Sequence, residues 1–429
     1  MKYLPINNNL FITNRANFTK HLKPNSIAVF VSNDAMPTNA DGTMGFRQNS
    51  DLFYLTGIDQ ENTMLVLYPD ATTNDWKELL FVQETNEHIA VWEGEKLNKE
   101  QAKQVSGITN VHWSKGFNAT LQQFVFQAET IYLNANEHAR QGNETQTAQD
   151  RFNSFIKQKY SLHKVERSAP IMHRIRAIKS EHEIALLQQA CNITEKGFRR
   201  LLPFVKPEAM EYEIEAELLH EFVRNRSRGF AYGPIIASGL NACTLHYVDN
   251  NKACKAGDVI LLDVAAEYGN YASDMTRCLP VSGRFSPRQK AVYNAVHRVM
   301  NASIKMLTVG NTFEKYNKAV GELMTEELLQ LGLITSDEVR NENPKTPAYK
   351  KYFMHGTSHF LGLDVHDVGM FQAPMEAGMV FTCEPGIYIR EENLGIRLEN
   401  NILITPTGNL DLMANIPINA EEIEELMNK

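Results

Sequence analysis

Three histidines and two aspartates occur within thirteen residues of the chain, in a segment that glycines interrupt. Residues 355–367 read His-Gly-Thr-Ser-His-Phe-Leu-Gly-Leu-Asp-Val-His-Asp, which places imidazoles at His355, His359 and His366. Glycine permits close backbone approach and dihedral angles that other residues avoid. One histidine alone is more often a hydrogen-bonded structural residue, but three so close together indicate a reactive or metal-binding segment.

Four further carboxylates lie near the ends of apolar segments. Asp263 follows Val-Ile-Leu-Leu, Asp274 comes eleven residues later, Glu384 follows Met-Val-Phe-Thr-Cys, and Glu399 follows Gly-Ile-Arg-Leu. Taken singly, such residues more often face water, and Glu399 could be only the ion-pair partner of Arg397. An unpaired carboxylate is costly to bury, so the apolar context predicts that a cation accompanies them.

Four carboxylates and one histidine form a hard, oxygen-rich donor set. Such a set suits manganese, iron(II), cobalt or magnesium better than it suits a thiolate-type zinc site. Five ligands, some of them bridging, fit two metals, and paired metals roughly 3.5 to 4 Å apart can hold a hydroxide nucleophile and polarise a carbonyl. The residues therefore predict a metal-dependent hydrolase that acts on an amide bond.

Composition limits where such a site can lie and what it can bind. The 429 residues, 43% hydrophobic and 22% charged, predict a globular protein of two domains. A formal net charge of −8 gives no overall basic balance that would attract nucleic acid. The chain starts without a secretory signal pattern and has no membrane-length apolar run, and its five cysteines form no CxxC pair. We expect a soluble, cytoplasmic protein with reduced thiols and a small or peptidic partner.

Hydrophobic periodicity predicts the elements that must position the site. In the first part, strands are predicted at residues 26–31, 51–55, 63–68, 78–82 and 130–133, and helices at 96–105 and 145–160. In the second part, a long helix is predicted from residue 180 onward, further helices at 211–225, 286–306 and 314–331, and strands at 259–265, 271–279, 380–383, 386–389 and 401–404. The fold class is therefore α/β (α+β), with a mixed α/β domain at residues 1–170 and a second domain at 171–429.

Local signals fix several boundaries in the second domain. Ser180 stands three residues before Glu183, which is the capping-box spacing of a helix start. Ser286 followed by Pro287 predicts another helix start. Residues 268–270, Tyr-Gly-Asn, predict the turn of a β-hairpin, which would fold Asp263 and Asp274 towards each other.

These motifs, in this order along the chain, resemble the pita-bread metallopeptidases and within them the aminopeptidase P (Xaa-Pro aminopeptidase) family. Residues 46–57, Phe-Arg-Gln-Asn-Ser-Asp-Leu-Phe-Tyr-Leu-Thr-Gly, resemble that family's non-catalytic domain, and residues 176–184, Arg-Ala-Ile-Lys-Ser-Glu-His-Glu-Ile, resemble the start of its catalytic domain. The resemblance implies a pita-bread catalytic domain at 171–429, and a domain at 1–170 that serves oligomerisation and substrate access.

The resemblance also assigns the metal ligands. It implies that Asp263 binds one metal, that Asp274 and Glu399 bridge both, and that His359 and Glu384 bind the other. Two divalent ions, manganese by preference, would hold a bridging water or hydroxide as the nucleophile.

Other residues receive catalytic or substrate-binding roles by the same resemblance. Glu384 would take the proton of the bridging water. His246 and His366 would contact the substrate or stabilise the tetrahedral intermediate, and Tyr232 would bind substrate or help to order the site. His355 and Arg397 would line the same site as catalytic groups.

The implied activity is release of the N-terminal residue from peptides that carry proline at position two. Two alternatives share the fold: prolidase, which cleaves Xaa-Pro dipeptides only, and non-enzymatic pita-bread binding proteins, which lack the ligands. The family pattern also implies a homodimer or homotetramer, because the N-terminal domain of one subunit borders the active site of another. No nucleic-acid or membrane partner is expected.

Three positions depart from the family pattern. Ala265 stands where glycine is common, the hairpin turn reads Gly269-Asn270 rather than residue-Gly, and Asn400 replaces a frequent aspartate. The spacing between the ligands is unchanged, so these departures bear on the surroundings of the metals rather than on the ligand set.

Overall fold

The protein, described here as a computed structural model covering residues 2–142 and 144–429, divides into two compact units. One unit comprises Pro5–Arg176, and the other comprises Lys2–Leu4 together with Ala177–Lys429. Helices and strands alternate in the first unit, whereas the second combines small antiparallel sheets with long helices. The mixed α/β fold class is confirmed.

The first unit contains one mixed six-stranded sheet in the order β4-β3-β2-β1-β5-β6. Strand β1 pairs antiparallel with β2 and parallel with β5. The strands are β1 Ser26–Val31, β2 Met64–Leu67, β3 Glu78–Val82, β4 Val111–Trp113, β5 Thr130–Leu133 and β6 Lys164–Arg167. The helices are α1 Asn9–Thr19, α2 Ser50–Thr56, α3 Glu87–Glu93, α4 Lys99–Ser106, α5 Phe117–Val125, α6 Ala148–Lys159 and α7 Ala169–Ala177.

Helices cover both faces of this sheet. Ile27 and Val29 of β1 share a buried cluster with residues of α5 and α6. Successive strand residues point to opposite faces, and Phe30 meets Phe18 of α1 with ring centroids 5.3 Å apart. The sheet is therefore buried on both sides, and most strands are continuous apolar runs rather than alternating ones.

The prediction of a strand at residues 51–55 is wrong, because this segment is helix α2. The Asn49 side chain accepts hydrogen bonds from the backbone N–H groups of Asp51 and Leu52, and Gly57 ends the helix with φ of 69°. An asparagine cap before the segment and a left-handed glycine after it are helix boundary signals. They outweigh the strand preference of the apolar run between them.

The second unit contains four small antiparallel sheets and the longest helices of the chain. The helices are α8 Glu181–Leu201, α9 Glu211–Arg224, α10 Pro287–Ile304, α11 Phe313–Gln330, α12 Ser336–Arg340 and α13 Ala420–Met427. The strands are β7 Ile235–Ser238, β8 Val259–Asp263, β9 Glu267–Tyr268, β10 Tyr271–Ala272, β11 Thr276–Pro280, β12 Val380–Cys383, β13 Gly386–Ile389, β14 Leu394–Arg397, β15 Asn400–Thr405 and β16 Gly408–Asp411.

The predicted helix starts in this unit are confirmed. Ser180 caps α8 with Glu183 in a reciprocal capping box, and Ser286 does the same for α10 with Gln289. Helices α8 and α9 pack together, as do α10 and α11, and they lie against the strands of the unit. Within the described residues, every helix is too short or too polar to cross a bilayer.

The second unit contains two β-hairpins in which the strand pairing is interrupted. The pairing of β8 with β11 ends at Asp263–Thr276, and the same register resumes four residues on at Glu267–Ala272 between β9 and β10. The turn that closes this hairpin has positive φ at both Gly269 and Asn270, 59° and 67°, which is the geometry of a type I′ turn. The predicted hairpin is confirmed, with its ladder broken near Asp274.

The second hairpin has the same construction. The pairing of β12 with β15 ends at Cys383–Asn400, and the register resumes three residues on at Gly386–Arg397 between β13 and β14. Continuing that register places Glu384 opposite Glu399 in the gap. Both hairpins therefore lose regular pairing where the sequence carries predicted metal ligands.

Candidate metal centre

Backbone contacts between the two hairpins hold the carboxylates in place. Glu399 donates its backbone N–H to the carbonyl of Thr276 at 3.1 Å, and the Thr276 hydroxyl donates to Glu399 Oε2 at 2.7 Å. Asn401 accepts the backbone N–H of Asp274 at 3.1 Å and donates Nδ2 to its carbonyl at 2.6 Å. These hydrogen bonds connect the two hairpins at the positions where each hairpin loses its own strand pairing.

His359 lies between two of these carboxylates. Its Nε2 is 3.4 Å from Asp274 Oδ2 and 3.6 Å from Glu384 Oε1. Its Nδ1 lies 2.9 Å from the carbonyl of Phe360, which accepts the Nδ1 proton and leaves Nε2 directed at the carboxylates. Potential donor atoms of Asp274, His359 and Glu399 all lie within 4.8 Å of one another.

Burial and neighbouring negative charges raise the pKa values of Asp263, Glu384 and Glu399. Burial, and then the charges of Asp274, Glu384 and Asp263, raise the pKa of Glu399 well above its ordinary value. Burial raises the pKa of Glu384 to about 7, against the opposing influence of His359. Burial also raises the pKa of Asp263, although Arg397 opposes this. Ionised carboxylates are thus unfavourable here unless a cation joins them.

This donor set fits a divalent-metal centre. Its members are mostly buried carboxylate oxygens, which hard divalent ions prefer, and its imidazole is oriented by a backbone carbonyl as in known metal sites. Asp274, His359 and Glu399 form the compact group. Glu384 adjoins it through His359. Asp263 adjoins it through Thr276, which pairs with Asp263 across the first hairpin and donates its hydroxyl to Glu399.

A chain of hydrogen bonds leads away from Asp263. Tyr232 donates its hydroxyl to Oδ1 at 2.7 Å, and Arg397 Nη2 donates to Oδ2 at 2.6 Å. Arg397 Nη1 also donates to the Tyr388 hydroxyl at 2.8 Å, and this hydroxyl lies 2.8 Å from His355 Nε2. The structure therefore joins the predicted residues Tyr232, Arg397 and His355 to the side chain of Asp263.

Burial and the neighbouring charge of Arg397 lower the pKa of His355 to about 3. The ring is neutral at physiological pH. Its Nδ1 donates to the carbonyl of Gly356 at 2.7 Å, so Nε2 accepts the proton of the Tyr388 hydroxyl. Tyr388 was not singled out by sequence reasoning, although it stands only four residues after Glu384. Sequence reasoning also did not single out Thr276, whose hydroxyl oxygen accepts a hydrogen bond from Arg397 Nε at 3.1 Å.

The two remaining predicted histidines, His246 and His366, are exposed. The His366 ring meets that of His359 edge to face, with centroids 4.5 Å apart. His246 follows the short 3-10 helix Gly239–Cys243, which packs against β14, the strand that ends at Arg397. All the predicted site residues therefore lie in one region of the second unit.

A buried ion pair anchors the segment that carries His359 and His366. Lys179 Nζ lies 3.0 Å from Asp367 Oδ2, and both side chains are 1% exposed. The backbone N–H of Asp367 also donates to the carbonyl of Phe360 at 2.9 Å. These contacts close the segment into a loop.

Replacing Lys179 with methionine will destabilise the protein by about 3–5 kcal/mol, because Asp367 remains as a buried carboxylate and loses the compensating charge of Lys179. The free energy of unfolding in urea measures this loss. The double variant K179M/D367N should be more stable than K179M, since it carries no buried charge. A K179M variant as stable as the parent would show that the pair contributes nothing.

Replacing Arg397 with methionine will lower kcat/KM by roughly 10- to 100-fold, the usual cost of losing a group that orients a metal ligand. Arg397 contacts Asp263, Tyr388 and Thr276 at once. A lysine has the charge but lacks the planar fork for three partners, so R397K should recover only part of the activity. Full activity in R397K would mean that charge alone matters.

Comparisons with known proteins agree with this geometry. The sequence profile of metallopeptidase family M24 matches residues 185–406, and that of the aminopeptidase P N-terminal domain matches residues 11–132. Xaa-Pro aminopeptidases of Haemophilus influenzae and Escherichia coli are 34% and 32% identical to the chain, with 97% of each chain covered in both cases.

Solved structures give the same result. Zinc-substituted E. coli aminopeptidase P in complex with product superposes with a TM-score of 0.89, and the same enzyme with the inhibitor Pro-Leu with a TM-score of 0.88. Both are 32% identical to the chain, and 99% of each chain is covered. With its carboxylates and histidine gathered in one buried centre, this chain belongs to the aminopeptidase P group of metallopeptidase family M24.

Proposed function

We propose that this protein is a Xaa-Pro aminopeptidase that hydrolyses the bond between an N-terminal residue and a following proline. The observation that carries the proposal is the set of buried, mutually repelling carboxylates around His359, in a chain related over its whole length to Xaa-Pro aminopeptidases. The comparisons favour this reading over a prolidase. A site that gathers so much negative charge is suited to cations, and a merely structural role would not require it.

The ligands of a two-metal centre would be Asp263, Asp274, His359, Glu384 and Glu399. Bound divalent ions supply Lewis acidity and a nucleophile at neutral pH. We propose manganese as the ion, and the excess of carboxylate oxygens over nitrogen and sulphur donors supports a hard metal. Asp274 and Glu399, which share the compact group with His359, would be held closest to the ions.

Glu384 is the proposed proton carrier. Its side chain is 20% exposed, so a reactant can reach it, and Oε2 lies 4.0 Å from His355 Nδ1. A carboxylate in this position can accept a proton from the attacking water at Oε2 and return it to the nitrogen of the departing proline. The neutral His355, fixed by Tyr388, does not compete for that proton.

His246 and His366 are the proposed stabilisers of the developing oxyanion. Both are exposed, and imidazole N–H groups can donate hydrogen bonds to the negative oxygen that forms as the carbonyl is attacked. The nitrogen of the scissile Xaa-Pro bond is the proline ring nitrogen, which carries no hydrogen, so the enzyme cannot recognise this bond through an N–H group. Tyr232, tied to Asp263, is proposed to order the substrate side of the centre.

The test compares Ala-Pro-Ala-Ala with the dipeptide Ala-Pro and with Ala-Ala-Ala-Ala, using chelated enzyme with and without manganese. Manganese-dependent release of alanine from the first peptide alone establishes the proposed activity. Cleavage of the dipeptide alone would make the protein a prolidase. Cleavage of Ala-Ala-Ala-Ala at a similar rate would remove the specificity for proline.

We also propose that residues 1–170 form a non-catalytic domain, that 171–429 form the catalytic domain, and that the protein is a homodimer or homotetramer. All the candidate site residues belong to the second unit. In the first unit, α3 has no buried residue, and its Val91 and Trp92 are 79% and 81% exposed, which favours a contact with another copy. Light scattering that showed a fully active monomer would overturn the oligomer.

The proposed location is the cytoplasm. All five cysteines are free thiols, and four of them are buried. Free thiols without a disulfide are typical of proteins in a reducing compartment. Fractionation of cells that express the tagged full-length chain would test this placement, and recovery of the protein outside the cytoplasm would contradict it.

A further inference from the structure

Glu211 is a fully buried carboxylate outside the metal centre. It is the first residue of α9 and is 0% exposed. Among the residues that the structure describes, no lysine or arginine forms an ion pair with it. A buried anion of this kind must be stabilised by hydrogen-bond donors and by the positive end of the helix dipole.

Five donors converge on this carboxylate. Oε1 accepts the backbone N–H of Ser238 at 2.9 Å, its hydroxyl at 2.8 Å and Asn241 Nδ2 at 3.3 Å. Oε2 accepts the Tyr247 hydroxyl at 2.7 Å and the backbone N–H of Lys252 at 3.0 Å. Burial, and then the bond to Glu211, raise the pKa of Tyr247 to about 12, so its hydroxyl is a donor at every working pH.

All five donors belong to residues 238–252, which we call the His246 loop. Glu211 holds the loop at its start through Ser238, in its middle through Tyr247, and at its end through Lys252. One turn further along α9, Glu215 accepts Asn250 Nδ2 of the same loop at 2.9 Å. His246 itself is exposed and directly precedes the buried Tyr247. The position of the imidazole is therefore set by the backbone that Glu211 fixes.

We propose that Glu211 is a positioning residue for peptide hydrolysis, because it fixes His246 at the metal centre through Tyr247 and the backbone of the His246 loop. This inference rests on the proposed role of His246 in the reaction. It adds a residue whose carboxylate, within the part of the chain that the structure describes, accepts its hydrogen bonds from the His246 loop.

Replacement of Glu211 by glutamine tests the proposal with almost no change of shape. The new amide NH₂ must face either the backbone N–H of Ser238 or that of Lys252. Hydroxyl groups can rotate to accept a hydrogen bond, but a backbone N–H cannot. One end of the loop must therefore move, and His246 moves with it.

The kinetic experiment is a double-mutant cycle on Ala-Pro-Ala-Ala with manganese-loaded enzyme. E211Q should lower kcat/KM by roughly 10-fold or more in the parent, a fraction of the 10²- to 10³-fold that one oxyanion donor can contribute. In the H246A background, E211Q should lower kcat/KM by no more than about twofold, because the imidazole that Glu211 positions is absent. Equal losses in both backgrounds, or no loss in the parent, would overturn the proposal.

The matched control is E327Q, the same substitution at another buried glutamate. Glu327 of α11 is 9% exposed and pairs with Arg298 of α10. E327Q should lower thermal stability while leaving kcat/KM within about twofold in both backgrounds. If E211Q fails to fold, Y247F takes its place in the cycle. It removes only the hydroxyl next to His246 and should show a smaller loss with the same dependence on His246.

Amide hydrogen exchange separates this inference from the proposed function. In metal-loaded E211Q, exchange should accelerate in residues 239–252 and stay unchanged in residues 355–367. Faster exchange confined to the His246 loop together with full activity of H246A would mean that the loop is held as described but that His246 has no catalytic role. Unchanged exchange would reject the positioning role itself.

Discussion

Replacing Glu399 with glutamine will abolish metal-dependent hydrolysis and, in the metal-free protein, raise the midpoint of thermal unfolding. Activity should fall by roughly 10³-fold or more, because stabilisation by a metal pair amounts to several kcal/mol. The midpoint should rise by about 1 °C for each kcal/mol of stabilisation, because an unfolding entropy of about 2.1 cal/mol/K per residue amounts to roughly 0.9 kcal/mol/K over 429 residues. An inactive variant that is more stable than the parent would show that the carboxylates of the site destabilise the folded, metal-free protein.

The gain in stability has a definite sign and pH dependence. Burial and three neighbouring carboxylates raise the pKa of Glu399 in the folded protein, whereas the unfolded chain has the ordinary value. Between these two values the folded state binds the extra proton, so stability of the parent falls as pH rises. Glutamine does not ionise, and it can still accept the Thr276 hydroxyl. The difference between E399Q and the parent should therefore be largest near pH 8 and shrink towards pH 4.

Differential scanning calorimetry of chelated and manganese-loaded protein measures both effects. Manganese should raise the midpoint of the parent well above that of the chelated protein, because a ligand that binds only the folded state stabilises it. It should raise the midpoint of E399Q much less. E326Q, at an exposed glutamate of α11, is the control and should behave like the parent. A chelated E399Q less stable than chelated parent would refute the account of mutual repulsion.

The sequence singled out the candidate site residues because their signals are local. Asp263 and Glu384 end apolar strands, and the Gly269-Asn270 turn fixes the register of the first hairpin. The contacts between the two hairpins could not be predicted from the sequence. Arg397 and Asp263 are 134 residues apart, and no local pattern shows that the arginine contacts this aspartate rather than its near neighbour Glu399.

Helix α1 shows why parts of the first unit could not be predicted. Its buried face includes Asn14 and Arg15 among the apolar residues, so the hydrophobic stripe that marks a helix is broken. The structure compensates for the buried arginine with the carbonyls of Leu55 and Ser106 and with Glu78. Such tertiary partners decide the element, and they are invisible to periodicity.

Glu211 illustrates the same limit at the site. In the sequence it is one of several acidic residues at the start of a predicted helix, where the helix dipole favours carboxylates in general. Glu213, two residues later, is exposed and caps the helix. Only the fold shows that Glu211 points inward to the loop that carries His246.

Replacing Glu384 with glutamine will lower kcat by roughly 10³-fold while KM changes by no more than about threefold. The amide preserves the shape of the side chain but cannot accept a proton, and a positioned general acid–base group contributes about 10²- to 10⁴-fold. The groups proposed to bind the substrate, Tyr232, His246 and His366, remain unchanged. A loss confined to kcat would therefore place Glu384 in the transition state rather than in substrate binding.

Because Glu384 is also a proposed metal ligand, its two roles must be separated. The metal content of E384Q should be measured by atomic absorption, and kcat should be determined over a range of manganese concentrations. Excess manganese that restored activity would show that the loss reflects metal affinity alone. An activated ester of alanine, whose leaving group needs no proton, should lose at least about tenfold less activity than Ala-Pro-Ala-Ala. Ester hydrolysis does not require a proton on the leaving group. Equal losses on both substrates would therefore show that Glu384 does not transfer a proton to the proline nitrogen.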